Sequence, residues 1–418
     1  MEHRRRRRPS RVQLKRAAAY ILLAAPFTLL ILCGLLHNHD LFTNSKPSQI
    51  GGYGSFYYHY NEPSVPSCRL LSDPSVATNT AAALVHPPPS PPDTFADYKF
   101  RNHTSCQISS LELHSPSTTA LCRDRDEFLQ AFSGGGRIGF DSPYIPRGCD
   151  MRWFSTEEVC QILSRYEKVV VVGDSMMRHV VGAMNVLLRQ DLGYGAVTDW
   201  NFNEDELRDC FCNHQMDVKS CSVQGIFSTS SVLEHDPSSL ACPTTQPVDL
   251  VIEMMLKFPL DSEELARFRS LLSPKKPRKP YAFIFGHGLW NDLDLQASMQ
   301  WLDGILGETV KQAPYYVGGT NKKGSRGAPF WPRLFVTPNA AGIQKPDQWL
   351  VSQGNKALMV FEESVRVEAG KRGVETMGTW NMSIQASKYD GVHLDLKGNL
   401  IKAMGVLNWL AMQDVDTW

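Results

Sequence analysis

Two polar segments, far apart in the chain, carry residue types that together can perform acyl transfer. Gly173-Asp174-Ser175 follows a run of four valines, and Asp390-Gly391-Val392-His393 lies near the C-terminus. A serine hydroxyl becomes a nucleophile when an imidazole takes its proton, and the imidazole needs a carboxylate that orients it and stabilises its charged form. Ser175, His393 and Asp390 supply these groups, and the Asp-x-x-His spacing lets one turn present both partners.

A third polar segment, residues 286–292, follows another apolar run and reads Gly-His-Gly-Leu-Trp-Asn-Asp. The side-chain amide of Asn291 can donate to the oxyanion that forms when a carbonyl is attacked. The segment equally suits a glycine-rich turn in which Asn291 or Asp292 caps a helix that begins near Leu293. Gly-Asp-Ser and Asp-x-x-His are, taken singly, also common in turns and helix caps, so the catalytic hypothesis depends on all three segments.

Short apolar runs alternate with helical periods, which predicts an α/β domain on a mostly parallel sheet. The predicted strands are residues 168–173, 249–255, 281–285, 333–337 and 374–379. The predicted helices are residues 155–166, 262–272, 293–311, 355–368 and 396–412, with another directly after Ser175. Ligands bind at the carboxyl ends of strands in such sheets, which is where this prediction places Ser175 and Asn291.

The chain order Ser, Asn, Asp, His resembles the SGNH (GDSL-like) hydrolase superfamily. Within it, Gly173-Asp174-Ser175-Met176-Met177-Arg178 is similar to the Gly-Asp-Ser-x-x-Arg block of the PC-esterase branch, which includes trichome-birefringence-like proteins and Cas1-type polysaccharide O-acetyltransferases. Arg152-Trp153 and Cys160 resemble the residues that precede this block in that branch. The resemblance runs from about Cys149 to the C-terminus, and it implies a three-layer α/β SGNH-hydrolase-like domain.

The resemblance also implies roles for individual residues. Ser175 would be the nucleophile, His393 the general base and Asp390 the residue that orients it. Asn291 would match the oxyanion amide, and the remaining substrate-side positions would be Gly173 and Arg178. No bound cofactor or metal is implied, and the co-substrate would be an acetyl donor, for example one derived from acetyl-CoA.

The sequence departs from the superfamily pattern around the oxyanion site. Two residues separate Gly288 from Asn291 where the family has one. Gly193 and Gly195 are candidates for the glycine of the family's second block. The oxyanion site is therefore where the sequence differs most from the family.

The N-terminal region predicts a membrane anchor. Residues 17–36 carry no charge, and a helix of that length, at 1.5 Å per residue, spans the roughly 30 Å of bilayer hydrocarbon. Residues 1–16 hold eight basic side chains, which favours a cytoplasmic tail and a type II topology. A cleaved signal peptide is the alternative, but the segment lacks an Ala-x-Ala ending; a nuclear-localisation signal is another interpretation of the arginines.

The rest of the chain is mildly acidic. Of 43 basic and 43 acidic residues, eight and one lie in the first 16, which leaves 35 and 42 and a net charge of −7. This balance argues against nucleic acid as a partner. Residues 37–105 are rich in proline and predict a disordered stem, so that residues 106–418 form the lumenal catalytic domain.

Ten cysteines agree with an oxidising, secretory location. A zinc site is an alternative for Cys210, Cys212, His214, Cys221 and Cys242. Disulfides are the prediction, with Cys210 and Cys212 too close to pair with each other. The odd number of cysteines outside the anchor leaves one unpaired or joined to another chain. Two glycosylation sequons begin at Asn102 and Asn381.

These features predict a Golgi-type membrane enzyme that transfers acetyl groups to a polysaccharide or glycan. Three alternatives remain. One is a carbohydrate acetylesterase of the same fold. Another is a metal-dependent type II glycosyltransferase that uses Asp292-Leu293-Asp294. The last is an inactive glycan-binding module in which tryptophans stack on sugars, the candidates being Trp200, Trp290, Trp331 and Trp349.

Overall fold

The computed structural model describes residues 93–101, 106–115, 120–198, 202–275, 277–312 and 331–415. The predicted tail, anchor and most of the stem lie outside these ranges, as do Cys33, Cys68, Asn102 and Trp200. Within the described ranges, no helix combines the length and the apolar character needed to cross a membrane. The predicted anchor at 17–36, lying outside them, stays a prediction.

A parallel sheet of five strands forms the centre of the folded part. In the part of the chain that the structure describes, the seven strands are, in order, β1 (Gly136–Arg137), β2 (Tyr144–Ile145), β3 (Lys168–Gly173), β4 (Leu250–Met254), β5 (Tyr281–Phe285), β6 (Arg333–Val336) and β7 (Glu375–Met377). Strands β1 and β2 pair with each other in an antiparallel ribbon. The others pair in the order β4-β3-β5-β6-β7, and every pairing is parallel.

Fourteen helices are seen in the described ranges. They are α1 (Ser110–Leu113), α2 (Arg125–Gly134), α3 (Thr156–Ser164), α4 (Ser175–Arg189), α5 (Glu204–Asp209), α6 (His214–Asp217), α7 (Lys219–Val223), α8 (Thr229–His235), α9 (Ser262–Leu271), α10 (Leu295–Gln312), α11 (Asp347–Gln353), α12 (Asn355–Gly370), α13 (Trp380–Ile384) and α14 (Leu396–Ala411). A short 3₁₀ helix, Leu289–Asn291, lies between β5 and α10.

The valines of β3 show why the sheet is buried on both faces. Val169 and Val171 pack into one apolar cluster with residues of α3, α4 and α14. Val170 and Val172 point to the opposite face and pack with residues of α9, α10 and α12. All four are fully buried, and each contributes roughly 2 kcal/mol of hydrophobic stabilisation. A continuous apolar run is what a strand covered by helices on both sides requires.

The predicted α/β class and mostly parallel sheet are confirmed. Residues 168–173 and 281–285 form strands with the predicted bounds, and the other three predicted strands differ by one or two residues at their ends. The capping box that opens α3 is present, with Ser155 and Glu158 each accepting the other's backbone N–H. The reason for this agreement is local: burial on both faces and helix capping leave direct marks in the sequence.

The predicted boundary between stem and domain needs correction. Phe95 and Tyr98 are buried in the main apolar cluster, although both fall within the predicted stem of residues 37–105. The backbone of Lys99 exchanges hydrogen bonds with Gln190 and Leu192. The packed fold therefore extends back into the predicted stem. The boundary was placed too late because the proline-rich composition of this segment predicts a stem, whereas two of its aromatic side chains belong to the core.

Four disulfides link the described cysteines. They are Cys106–Cys212, Cys122–Cys149, Cys160–Cys242 and Cys210–Cys221. Cys210 and Cys212 therefore have different partners, as predicted, and the cysteines of the alternative zinc site are all oxidised.

The sequon at Asn381 lies in a packed part of the fold. Asn381 is in helix α13, where its side-chain amide donates to the carbonyl of Ser133 at 2.7 Å. Met382 and Ser383 are fully buried. The glycosylation that the sequon predicted does not fit this folded environment, because a glycan would need the amide nitrogen free and the backbone accessible.

Candidate active site

Ser175, His393 and Asp390 form a continuous hydrogen-bonded series. The Ser175 Oγ lies 2.6 Å from Nε2 of His393, and Nδ1 of the same ring lies 2.7 Å from Oδ2 of Asp390. These residues are 218 and three positions apart in the chain, respectively. The structure thus brings together the three side chains predicted as nucleophile, base and orienter.

The charge of Asp390 determines which nitrogen of His393 carries the proton. Burial alone would raise the pKa of Asp390, but hydrogen bonds from the His393 ring and from two backbone N–H groups lower that pKa to about 2. The carboxylate is therefore ionised near neutral pH and can only accept hydrogen bonds. Nδ1 of His393 must then be the donor, which leaves Nε2 free to accept the proton of Ser175.

The loop that carries both residues is shaped by Asp390 itself. Its Oδ1 accepts the backbone N–H groups of Val392 and His393 at 2.9 and 2.8 Å. Gly391 has a φ of +79°, and an added Cβ there would lie 2.1 Å from the backbone nitrogen of Lys345. A glycine is required because both the positive φ and the close neighbouring chain exclude a side chain.

A buried polar relay connects this loop to helix α14. The ammonium group of Lys402, which is fully buried, donates to Oδ1 of Asn339 at 2.8 Å. The Nδ2 of Asn339 donates in turn to the carbonyl of Val392 at 3.0 Å. Burial lowers the pKa of Lys402 to about 8, with the negative charge of Asp174 opposing that shift. The relay holds the residue next to His393 against the domain core.

Two aromatic rings flank the imidazole of His393. The ring centre of His179 lies 5.0 Å away, and that of Tyr389 lies 6.0 Å away in a nearly parallel arrangement. Burial lowers the pKa of His179 well below its ordinary value, and the neighbouring charge of His393 lowers it further. His179 is therefore neutral and packs against the site without competing for its proton.

Ser175 is the first residue of α4, directly after the carboxyl end of β3. Asp174 caps this helix by accepting the N–H of Met176 at 2.9 Å. The N–H of Ser175 has no hydrogen-bond partner among the described residues, as is usual for the first turn of a helix. The hydroxyl thus stands beside an unoccupied backbone donor and the positive end of a 15-residue helix.

Asn291, predicted as the oxyanion amide, is hydrogen-bonded to Phe258 and is absent from the lining of the cavity at Ser175. Its Nδ2 donates to the carbonyl of Phe258 at 3.0 Å, and its Oδ1 accepts the N–H of Phe258 at 2.9 Å. The amide thereby fixes the loop after β4. The residue follows the correct strand, but a glycine-rich turn can direct a side chain either way, which sequence spacing does not reveal.

Gly173 and Arg178, also predicted near substrate, pack against other parts of the protein. An added Cβ on Gly173 would lie 2.5 Å from the carbonyl of Gly286, so this glycine permits close contact between two strand ends. Arg178 is buried, and its guanidinium lies 6.0 Å from the ring centre of Phe227. Neither residue lines the cavity at Ser175.

The candidate glycines of the second block are likewise engaged elsewhere. The N–H of Gly193 donates to Asp191, and that of Gly195 donates to Gln215, both at 2.8 Å. Neither glycine lines the cavity at Ser175. Of these candidate oxyanion donors, the N–H of Ser175 is the one that lies at the hydroxyl.

A cavity of about 570 Å³ opens at the Ser175 hydroxyl. Strands β3 and β5 are the first and third of the sheet in chain order yet lie side by side, and such a reversal of strand order creates a crevice at the carboxyl ends. The lining side chains come from the junction of β3 and α4, from the segments after β4, β5 and β6, from α11 and from the His393 loop. They are Asp174, Ser175, Met176, Lys257, Leu289, Trp290, Asp292, Lys345, Pro346, Trp349, Gln353, Asp390, Val392 and His393.

The tryptophans proposed as sugar platforms divide into two kinds. Trp290 and Trp349 line the cavity and are 48% and 42% exposed. Trp331 is buried in the core on the other face of the sheet, which contradicts a binding role for it. Trp200 lies outside the described residues.

The two carboxylates of the alternative Asp-x-Asp motif have separate contacts. Asp292 lines the cavity and accepts from Gln353 Nε2 at 2.8 Å. Asp294 accepts the N–H of Ala297 at 3.0 Å at the start of α10. Asp294 therefore acts as a helix cap, and Asp292 is bonded to Gln353.

Sequence reasoning missed several residues around the site. Lys257 lies three residues after β4, at the sheet edge where ligands are expected, so its position was a usable signal. Asn339 lies three residues after β6, so its position was a signal of the same kind, whereas Lys345 and Lys402 lie far from any strand end and carry no such signal.

Known proteins offer a distant structural likeness. No protein-family model matches the sequence, and no curated protein matches it significantly. A solved structure that resembles it is that of Est24, a carbohydrate acetylesterase from Sinorhizobium meliloti. It has 16% sequence identity and a TM-score of 0.25, and the match covers 60% of this chain and 98% of that one. A likeness of that size supports no conclusion about the present chain.

Proposed function

We propose that this protein cleaves or transfers acyl groups, most simply acetyl groups, on carbohydrate through an acyl-serine intermediate at Ser175. The observation that carries the proposal is the pair of short hydrogen bonds from Ser175 through His393 to Asp390. The series opens into a cavity large enough for a small ligand. Serine, histidine and aspartate in this order of contact are the components of nucleophilic acyl transfer.

In the proposed reaction, Oγ of Ser175 attacks the carbonyl carbon of the ester while Nε2 of His393 takes the hydroxyl proton. Asp390 stabilises the imidazolium that results. The tetrahedral intermediate collapses as the alcohol leaves with the proton from His393, and an acyl-serine remains. Water or a sugar hydroxyl then attacks that ester, His393 takes the proton of the attacking group, and Ser175 is restored.

The oxyanion of the intermediate needs donors, and the N–H of Ser175 is proposed as one of them. It lies at the N-terminus of α4, where the helix dipole favours negative charge. Asn291 is not proposed as a second donor, because it is absent from the lining of the cavity and its amide is hydrogen-bonded to Phe258. The remaining donors would come from groups that approach when substrate binds.

Carbohydrate is proposed as the substrate class from the exposed indoles of Trp290 and Trp349 beside the nucleophile. Their flat faces suit the apolar C–H face of a sugar ring. The resemblance to polysaccharide O-acetyltransferases points to the same class. It also favours transfer over hydrolysis, with an acetyl donor as co-substrate and a type II anchor in the Golgi membrane.

The deciding experiment measures hydrolysis of a chromogenic acetyl ester by the purified full chain and by its Ser175→Ala variant. The proposal expects the variant to lose about a thousandfold or more of the rate. The matched control is Ser298→Ala, which removes a buried hydroxyl that contacts His287 outside this cavity. Equal rates in the wild-type and Ser175→Ala proteins would exclude the mechanism.

A second assay separates the enzyme classes. Activity should persist in EDTA, because the proposed steps use side chains alone, whereas the metal-dependent glycosyltransferase alternative requires its ion. Adding oligosaccharide acceptors to the acetyl ester then tests transfer. Acetylated acceptor among the products would identify a transferase, and free acetate alone would identify an esterase.

A further inference from the structure

We propose that the carbohydrate bound at this site is acidic, and that a carboxylate-bearing sugar stacks on Trp290 with its carboxylate at Lys257. This inference rests on the proposed function for the reacting sugar ester, but it concerns binding and can be tested without catalysis. The observations that carry it are the two exposed indoles in the cavity and the state of each charged group in its lining.

The two indoles come from different elements of the fold. Trp290 lies in the 3₁₀ helix after β5, and Trp349 lies in α11. Their exposed fractions of 48% and 42% are high for the largest side chain, and both line the cavity that contains Ser175. Aromatic faces left open inside a cavity offer apolar contact area to a flat ligand.

The acidic groups of the lining are already engaged. Asp390 accepts hydrogen bonds from His393, and Asp174 accepts the N–H of Met176. Asp292 accepts from Gln353 at 2.8 Å and from Ser352 at 3.4 Å. These carboxylates therefore have partners within the protein.

The two lysines that line the cavity differ in burial and in hydrogen bonding. Lys345 is buried and donates to Gln353 at 2.9 Å, and burial lowers its pKa. Lys257 is exposed, and its ammonium lies 5.3 Å from the ring centre of Trp290. It makes no ion pair or hydrogen bond with any residue that the structure describes. Of the charged groups that line the cavity, the Lys257 ammonium is thus the one without a hydrogen bond or ion pair among the described residues, and it lies over the Trp290 ring.

The size of that charge favours a carboxylate over a more highly charged group. One ammonium group balances one negative charge. Asp292 and Asp390 line the same cavity and would repel a doubly charged phosphate more strongly. A uronic acid residue combines one carboxylate with a pyranose ring, which matches Lys257 and Trp290 together.

The test is calorimetric titration of the full chain carrying Ser175→Ala, so that bound esters are not consumed. The probes are tetrasaccharides of galacturonate and of glucuronate, each compared with the neutral hexose tetrasaccharide of the same linkage. At least one acidic probe should bind about fivefold more tightly than its neutral counterpart at low salt, and the difference should shrink as salt rises.

Substitutions then locate the interaction. Lys257→Gln should abolish the preference for the acidic probe, while Lys257→Arg should retain it. Lys356→Gln is the matched control, because it removes an exposed lysine that lies outside this cavity. Trp290→Ala should weaken acidic and neutral probes alike, by about tenfold.

Two results would overturn the proposal. One is that no acidic probe binds more tightly than its neutral counterpart. The other is that Lys356→Gln reduces the preference as much as Lys257→Gln does. Failure of the proposed function would look different, because Ser175→Ala would then hydrolyse the chromogenic ester as fast as wild type, whatever the binding preference.

Discussion

The reactivity proposed for Ser175 depends on one tautomer of the His393 imidazole. Asp390 selects that tautomer because its lowered pKa, about 2, keeps the carboxylate an acceptor at Nδ1 of His393. The same carboxylate holds the backbone of its loop through Val392 and His393. Orientation of the base and shape of the loop therefore depend on a single side chain.

Replacing Asp390 with asparagine tests this dependence. In Asp390→Asn the amide oxygen can still accept the backbone N–H groups, but an NH₂ group then faces Nδ1 and favours the wrong tautomer. We expect kcat for acetyl ester hydrolysis to fall at least about a hundredfold, with the melting temperature changed by only a few degrees. A variant with near wild-type kcat would show that Asp390 does not orient the base.

At the scale of secondary-structure elements, the His393 loop is held from α14 through Asn339. Lys402 donates to the Asn339 oxygen, and the Asn339 nitrogen donates to the carbonyl of Val392. The relay joins α14, the loop after β6 and the His393 loop. Asn339 is therefore a positioning residue, because it acts on His393 through the backbone.

Asn339→Asp separates the two halves of this relay. The new carboxylate keeps the contact with Lys402 but cannot donate to Val392, and it repels that carbonyl. We expect kcat to fall about tenfold with KM within about twofold of wild type, since the substrate-binding surface is unchanged. Asn339→Ala, which also leaves Lys402 unpaired, should in addition be destabilised. A rise in KM at constant kcat would contradict a positioning role.

The buried ammonium of Lys402 also predicts a pH dependence of stability. Its pKa in the folded protein is about 8, below the ordinary value of 10.5, so between these values the unfolded chain binds more protons. Stability must then rise with pH in that window. Relative to Lys402→Met, the wild-type free energy of unfolding should increase by roughly 1–2 kcal/mol from about pH 8 to about pH 9.5 in denaturant titrations. A constant difference would refute the shift.

Gly173 shows how strand packing sets the position of the nucleophile. Gly173→Ala would place a Cβ 2.5 Å from the Gly286 carbonyl and 2.8 Å from the Met177 side chain. We expect a loss of about 1–3 kcal/mol in unfolding free energy. Gly307→Ala is the matched control, because no atom lies within 4 Å of its Cβ, and in a helix interior it should stabilise by up to about 1 kcal/mol. Equal effects of the two changes would argue against close packing at Gly173.

At the scale of the whole molecule, disulfides join segments that lie far apart in sequence. Cys160–Cys242 spans 82 residues and ties α3 to the segment between α8 and β4, whereas Cys210–Cys221 spans 11. Closing a longer loop removes more conformational freedom from the unfolded chain. Cys160–Cys242 is therefore expected to contribute more to the free energy of unfolding than Cys210–Cys221.

Removing each of these disulfides by paired alanine substitution tests that expectation. Loss of Cys160–Cys242 should lower the free energy of unfolding by about 4.5 kcal/mol, and loss of Cys210–Cys221 by about 3 kcal/mol. Chemical denaturation followed by circular dichroism measures both. The reverse order of effects would show that native packing, and not loop length, governs their contribution.

Sequence alone determined the features that depend on neighbouring residues. The strands at 168–173 and 281–285 and the capping box of α3 follow from local patterns, because burial on two faces and helix capping act over a few positions. The roles predicted for Ser175, Asp390 and His393 came from the combination of distant segments and its resemblance to the SGNH superfamily. Local patterns also placed Ser175 at the edge of the sheet where ligands bind.

Tertiary structure decided which of the predicted residues contact one another and which contact other parts of the fold. Asn291 turns to Phe258, Arg178 packs beside Phe227, and Trp331 enters the core. Lys257 and Lys402 acquire their places beside Trp290 and Asn339 from segments distant in the chain. The direction of a side chain depends on the balance of contacts from every segment around it, and no local pattern contains that balance.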